Sequence, residues 1–354
     1  MISKMIKRLN YPTGLLFMVL LAVLGGCRSF GTDLNSKTRT MPSSFQAGNS
    51  TGNLAQLNWK EFFSDSLLIS LIDTALQWNF DVQLAWQKVE IARAGHHQAK
   101  GNLFPQVGIG TNSGMRKFGL YTMDGAGNIS TEILPGKKVP IHLPDLNLHL
   151  NTSWELDIWG KLRAQRKSAQ SAYLASVEGR HLVVSTLVSH IASAYYQLLA
   201  FDNELNTVRE YILKQEEALE VARIQKETGR ANELASMQFE AQLLQSRAME
   251  YDLLQQIVQT ENLINFLMGR YPQKINRHPE RLNQKTAEIL KVGTPAQLLS
   301  NRPDIRQAEH LLAMSKFDVQ AARSAYFPNL NLTGLLGFQA FQSQLLFLNP
   351  ASLA

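Results

Sequence analysis

The chain has 354 residues, 45% of them hydrophobic and 18% charged. That is enough apolar material for one large or two ordinary folded domains, and it excludes a disordered polyelectrolyte. The formal net charge of +6 is spread thinly and leaves no footprint for nucleic acid, and a single cysteine excludes an internal disulfide.

The first element is a targeting segment. Lys4, Lys7 and Arg8 form a basic stretch, residues 14–24 (GLLFMVLLAVL) are apolar, and Leu24-Gly25-Gly26-Cys27 closes the segment. The apolar run is too short to cross a bilayer, which takes about 20 residues, so residues 1–26 read as a signal peptide. The Leu-Gly-Gly-Cys box resembles that of bacterial lipoproteins. The resemblance implies cleavage before Cys27 and lipidation of Cys27 with two or more acyl chains, enough for a stable anchor. Arg28 follows where an aspartate would signal retention at the inner membrane, which favours outer-membrane sorting. Without residues 1–26 the chain holds 32 basic against 29 acidic side chains. Residues 27–57 are rich in Ser, Thr, Asn and Gly and read as a flexible tether.

From Trp59 to about Leu103 the apolar period is helical. Leu68, Leu71, Ile72, Ala75 and Leu76 form one stripe, and Val82, Ala85, Trp86, Val89 and Ala92 a second, with a bend expected at Asn79. Phe104-Pro105 stops the helix. The period then becomes two: Val107, Ile109, Thr111 and Ser113 share one face, and Gln106, Gly108, Gly110 and Asn112 the other. Residues 119–144 read as a glycine-rich polar connection. In residues 146–158 the even positions are apolar but for Thr152, and the odd positions are polar. Two readings of this strand stay open. It could wall a membrane barrel, with Asn147, His149, Asn151 and Ser153 facing a wet lumen. It could also be the edge of a soluble sheet. Trp154 and Trp159 stand where an interfacial aromatic belt would lie, which tips the balance towards the barrel.

Gly160 then opens a long helix. Glu155 and Asp157 precede its start, where carboxylates suit the positive end of the helix dipole, and Gly160 permits the strand-to-helix junction. From Lys161 to Thr228 there is no proline and only one glycine, Gly179, so a continuous helix would reach ~100 Å at 1.5 Å per residue. Its heptad seam runs from Val184 through Leu187, Ile191, Leu198, Leu205, Ile212 and Gln215 to Ala222. Gly229, Arg230, Ala231 and Asn232 break it, with Gly229 suited to a left-handed C-terminal position and Asn232 to the next N-cap. A second seam is expected in Leu234, Met237, Ala241, Leu244, Ala248 and Tyr251, making an antiparallel hairpin that ends near Met268. Residues 271–290 read as a polar linker.

The sequence then repeats at a shift of 223 residues. Asp81 falls on Asp304, Ala85 on Ala308, Ala99 on Ala322 and Phe104-Pro105 on Phe327-Pro328, while Ile109 falls on Leu332. A helix–strand unit therefore occurs twice. No phosphate-binding glycine loop, His-Glu-x-x-His or Gly-x-Ser-x-Gly is present, so the chain reads as no enzyme, with no cofactor and no metal site. His96 and His97 read as solvated, and Met237, Met249, Met268 and Met314 as packing residues.

The phrases Trp154-Glu155-Leu156-Asp157-Ile158-Trp159-Gly160-Lys161-Leu162-Arg163 and Leu298-Leu299-Ser300-Asn301-Arg302-Pro303-Asp304-Ile305, with Ala308-Glu309 and Phe327-Pro328, resemble signatures of the TolC-like outer-membrane efflux proteins. Within that family they are most similar to the OprM/NodT lipoprotein group of tripartite efflux systems. The resemblance covers residues 59 to about 345. It implies a mainly α fold with β: a long α-helical coiled-coil barrel continuing a transmembrane β-barrel, shared by a homotrimer. It implies an exit duct for small molecules that works with a periplasmic adaptor, an inner-membrane efflux pump and outer-membrane lipid. Residues 229–232 match the helical tip that faces the adaptor, although Arg230 there could equally be a solvated charge. Residues 58–270 correspond to a first repeat and 291–354 to the start of a second. Relatives continue beyond this C-terminus with a fourth strand and a second hairpin. The resemblance therefore makes this chain a fragment or truncated product, not expected to form a duct alone. The alternative is a periplasmic coiled-coil lipoprotein that only bridges partners.

Overall fold

The computed structural model describes residues 58–280, 299–347 and 352–354. The signal segment, Cys27, the tether and residues 281–298, including the end of the expected linker, lie outside the described residues.

Two short helices come first, α1 (Trp59–Phe62) and α2 (Ser66–Trp78), followed by α3 (Phe80–Gly101). Each start is capped by the residue expected from its chemistry. Asn58, Asp65 and Asn79 accept hydrogen bonds from Lys60, Leu67 and Val82 backbone N–H groups. Asn79 is also the bend: it closes α2 and opens α3, and its amide donates to the Leu267 carbonyl at 2.8 Å.

Strand β1 (Gln106–Arg116) follows Pro105. The connection read as irregular contains a small helix, α4 (Met123–Ser130), and a hairpin of β2 (Glu132–Leu134) with β3 (Lys137–Lys138). Strand β4 (Leu143–Leu156) is longer at its start than the alternation indicated and ends before Asp157 and Ile158. Helix α5 (Lys161–Glu227) is one unbroken element of 67 residues, and α6 (Glu233–Leu267) returns antiparallel beside it. After residues 271–280, α7 (Pro303–Ser324) and β5 (Leu330–Ala340) repeat the α3–β1 unit. Helices α3 and α7 have the same length, 22 residues, and keep the 223-residue shift at both ends.

The strands form an antiparallel sheet in the order β1–β4–β5. Helix α5 is the spine of the helical part. Its first half packs between α3 and α7, and its second half pairs with α6. The core is built where α2 joins them: Leu68, Ile72, Ile191, Leu198, Leu199 and Ile264 are fully buried. Each such aliphatic side chain contributes about 1.5–3 kcal/mol of transfer free energy. Tyr195 is buried with them, and its hydroxyl donates to Asp65 Oδ2 at 2.8 Å, so one carboxylate both caps α2 and ties it to α5. Gly179, the only glycine inside α5, faces α7: a Cβ there would come within 2.9 Å of the Gln307 amide nitrogen.

The expected seam of α6 is corrected. Leu234, Met237, Leu244 and Tyr251 are exposed, and the side that meets α5 carries Ser236, Leu243, Ser246, Leu253, Ile257, Thr260 and Ile264. Both sets run at heptad spacing, one stripe turned inwards and one outwards. Met237 and Met249 are accordingly exposed rather than packed, whereas Met268 is buried. Gln215 lies in the α5 seam, 5% exposed, and neither its amide nitrogen nor its amide oxygen has a hydrogen-bond partner among the described residues.

Residues 271–280 are docked rather than free. The Arg277 guanidinium grips Asp202 of α5 at 2.5 and 2.9 Å and also bonds Glu261 of α6. Asn203 donates to the Pro279 carbonyl, and Asn265 to that of Gln273.

Candidate channel wall, junction and helical tip

Directly paired residues of antiparallel strands share a face, so the register assigns the whole sheet. Asn147, His149, Asn151 and Ser153 of β4 stand opposite Asn112, Gly110, Gly108 and Gln106 of β1, and opposite Gln339, Gly337, Leu335 and Thr333 of β5. One face is thus polar across three strands, with Leu335 as the exception. The other face carries Val107, Ile109, Leu146, Leu148, Leu150, Trp154, Leu332, Leu336 and Phe338. Among the described residues no helix packs on it: Val107 and Ile109 are 71% and 80% exposed. A soluble sheet would bury this face, so the soluble-edge reading finds no core to serve it.

Glycines let the polar side chains of β4 lie across their neighbours. A Cβ on Gly108 would meet Asn151 Oδ1 at 2.8 Å, and one on Gly110 would meet His149 Nε2 at 2.5 Å. On the other side a Cβ on Gly337 would strike backbone, Leu148 O at 2.3 Å and His149 Cα at 2.5 Å. His149 Nδ1 pairs with Asn147 Oδ1 at 2.8 Å, which supports a hydrogen-bonded wall rather than a metal ligand. At the far end of the sheet, Asp145 accepts from Arg116 and from Gln339, each at 2.7 Å. Residues 352–354 lie along the outer edge of β5: Gln339 N–H donates to Ser352 O, and Gly337 and Ala354 exchange backbone hydrogen bonds at 3.0 and 2.8 Å.

At the other end the sheet becomes helix. Gly160 has φ of +77° and offers no side-chain cap. Asp157 supplies it from outside the helix, accepting from the Leu162 and Arg163 N–H groups at 2.8 and 3.0 Å and from the Arg163 guanidinium at 2.9 Å. Desolvation pushes the Asp157 pKa up, but the Arg163 and Leu162 backbone bonds and the guanidinium outweigh it, and the carboxyl sits below its ordinary range. Glu155 pairs with Lys161 at 2.6 Å. The two tryptophans tie this junction to the two copies of the repeat. Trp154 Nε1–H donates to Leu103 O at 3.1 Å, and Trp159 Nε1–H donates to Pro328 O at 3.0 Å.

The tip between α5 and α6 is a Schellman turn. Gly229 has φ of +70°, Arg230 N–H reaches Gln225 O at 2.8 Å and Gly229 N–H reaches Lys226 O at 3.0 Å. Asn232 caps α6 through Ala235 N–H at 3.2 Å. Gly229, Arg230 and Asn232 are exposed, Ala231 is half-buried, and Arg230 has no ion-pair partner among the described residues. Sequence reasoning missed the glycine contacts across the sheet and the Arg277 grip. The first had a signal in Gly108 and Gly110 at alternating positions; the second, between residues far apart in the chain, had none.

The family model for outer membrane efflux proteins matches residues 71–270, more than half of the chain. The chain belongs to the outer membrane efflux protein family. Membership puts it at the bacterial outer membrane. Among curated efflux proteins it is similar to the probable efflux pump outer membrane protein SepC of Pseudomonas putida strain F1, 29% identical over 293 residues. That match takes in 83% of this chain and 58% of SepC. The cation efflux system protein CusC of Escherichia coli K12 is 28% identical over 331 residues, covering 91% of this chain and 68% of CusC. Among solved channels, CusC superposes with a TM-score of 0.70 at 25% identity, over 89% of this chain and 68% of that one. The open-state MtrE channel of Neisseria gonorrhoeae gives 0.72 at 25%, over 89% and 67%. Both solved channels share the strand–helix architecture seen in this chain.

Proposed function

We propose that this chain builds the wall of a passive exit duct through the outer membrane, in a tripartite efflux system with a periplasmic adaptor and an inner-membrane pump. The observation that carries the reading is the two-sided β1–β4–β5 sheet, greasy on one face and hydrogen-bonding on the other, running without interruption through Gly160 into α5. The apolar face suits lipid, and the Asn, Gly, Ser and His face suits water and cargo in transit. Energy and selection then come from the pump, and the protein does no chemistry.

Two features support a homotrimer. The exposed heptad stripe of α6 needs a partner helix, and among the described residues the outer edge of β1 is an unpaired row of backbone groups that a membrane does not tolerate. Lipidated Cys27 would hold the assembly to the membrane, and Gly229–Asn232 would meet the adaptor. Adaptor contact is tested by replacing residues 229–232 with an unrelated turn of equal length: folding should survive and adaptor crosslinking should fall.

The experiment for the reading as a whole is detergent dependence of the purified chain. A duct wall partitions into membranes and needs detergent to stay dispersed. A chain that stayed dispersed in plain buffer would instead be a bridging coiled-coil lipoprotein.

A further inference from the structure

We infer that the first turns of α5 hold a binding site for the phosphate of an anionic glycerophospholipid, at the periplasmic leaflet of the outer membrane. The inference rests on the duct reading for its orientation in the bilayer. A cavity of about 250 Å³ opens directly beneath the sheet, lined by Trp159, Gly160, Arg163, Ala164, Arg166, Lys167 and Gln320. Three of these seven residues are cations, and none is a carboxylate. Arg163 is partly matched by Asp157. Arg166 is half-buried and has no hydrogen-bond or ion-pair partner among the described residues, and Lys167 has only the ring of Phe317, 5.6 Å away. Lys100 and Arg323, neither in an ion pair among the described residues, add cations near the ends of α3 and α7, where both helices turn into strands.

Depth and direction agree with a lipid headgroup. Arg163 and Lys167 stand two and six residues past the start of α5, about 3 and 9 Å along the axis. The headgroup zone occupies roughly 5–7 Å beyond the hydrocarbon core. Trp154 and Trp159 mark the same level, as interfacial tryptophans do. Trp159 itself lines the cavity and is half exposed, and an interfacial tryptophan faces the bilayer, so the cavity opens outwards, to lipid. There a guanidinium fork and an ammonium find the one anion that a bilayer supplies in quantity.

The test is native mass spectrometry of the whole purified chain in neutral detergent, counting lipid adducts. Phosphatidylglycerol should be retained about tenfold over diacylglycerol of the same chain length, which lacks the phosphate. The double substitution Arg166→Gln with Lys167→Gln should abolish that preference. The charge-keeping pair Arg166→Lys with Lys167→Arg should restore most of it, which separates loss of the site from loss of the fold. Lys137→Gln with Lys138→Gln, at the other end of the sheet, should change nothing. Excess inorganic phosphate should not displace the lipid; displacement would make this a free-phosphate site and overturn the lipid assignment. Equal retention of the two lipids, or a preference surviving Arg166→Gln with Lys167→Gln, would also overturn it. Detergent-free solubility would sink the duct reading instead, and adduct counting needs no open pore, so the two failures are told apart.

Discussion

Trp159 stacks on Phe327 with ring centroids 4.7 Å apart and planes inclined by 23°, and its indole N–H reaches the Pro328 carbonyl at 3.0 Å. The last residues of the first strand–helix junction are thereby fastened to the start of the second repeat's strand. Trp159→Phe keeps a stacked ring and loses the hydrogen bond, and should cost about 1 kcal/mol. Trp159→Ala loses both and should cost about 2–3 kcal/mol, since an aromatic pair adds roughly 0.5–1.5 kcal/mol beyond its area. Urea unfolding followed by circular dichroism in detergent measures both. Equal effects of the two variants would mean that the stack contributes nothing.

The Asp157 cap predicts an acid limb of stability. Its carboxyl is lower in the folded chain than the ordinary aspartate value, so the unfolded chain binds more protons as pH falls. The stabilisation is therefore fully present above about pH 4, the unfolded value, and is lost as pH drops through the lower folded value. Asp157→Asn keeps one acceptor and removes the charge, so its melting temperature should be lower at neutral pH and flatter with pH between about 2 and 5. A parallel pH dependence in the two proteins would assign the acid limb to other carboxylates.

Two glycines of the sheet should differ sharply when given a methyl group. At Gly110 the new atom meets only the end of the His149 ring, which can rotate away. Gly110→Ala should shift stability by less than about 0.5 kcal/mol. At Gly337 the new atom meets the backbone of Leu148 and His149, which cannot move without breaking the β4–β5 ladder. Gly337→Ala should cost about 1–3 kcal/mol and lower the yield of membrane-inserted protein. Insertion yields compared by membrane fractionation decide between them.

These outcomes bear on what a single chain makes legible. Helix α5 could be read because no proline interrupts residues 161–227, and α7 because residues 303–324 repeat residues 80–101. Strand β4 could be read because its alternation is nearly complete. The inward face of α6 could not, because Leu243, Ile257 and Ile264 lie on one heptad stripe and Met237, Leu244 and Tyr251 on another. Spacing alone does not say which stripe meets α5. Helix α4 was hidden by its two glycines, Gly125 and Gly127, residues that ordinarily mark loops. The Arg277–Asp202 pair was hidden by distance along the chain. The polar face of β4 could be proposed from its alternation, whereas the close approach of Gly337 to the β4 backbone required the register.

Gln215 makes the last case. It occupies a seam position between Ile212 and Leu219, both buried, and faces α6 with both amide atoms buried and without a partner among the described residues. Each unmet buried polar group costs about 1–3 kcal/mol. A leucine of similar size would remove the penalty and extend the apolar seam. Gln215→Leu should therefore stabilise the α5–α6 hairpin by about 1–3 kcal/mol, whereas Gln215→Ala should gain less because it leaves a cavity. Hydrogen exchange resolves the effect by position: protection should rise in residues 205–225 and 236–255 and stay unchanged at the Asp65–Tyr195 contact. If protection fell there instead, the amide of Gln215 would have a partner, such as an ordered water, and the layer would be a satisfied one.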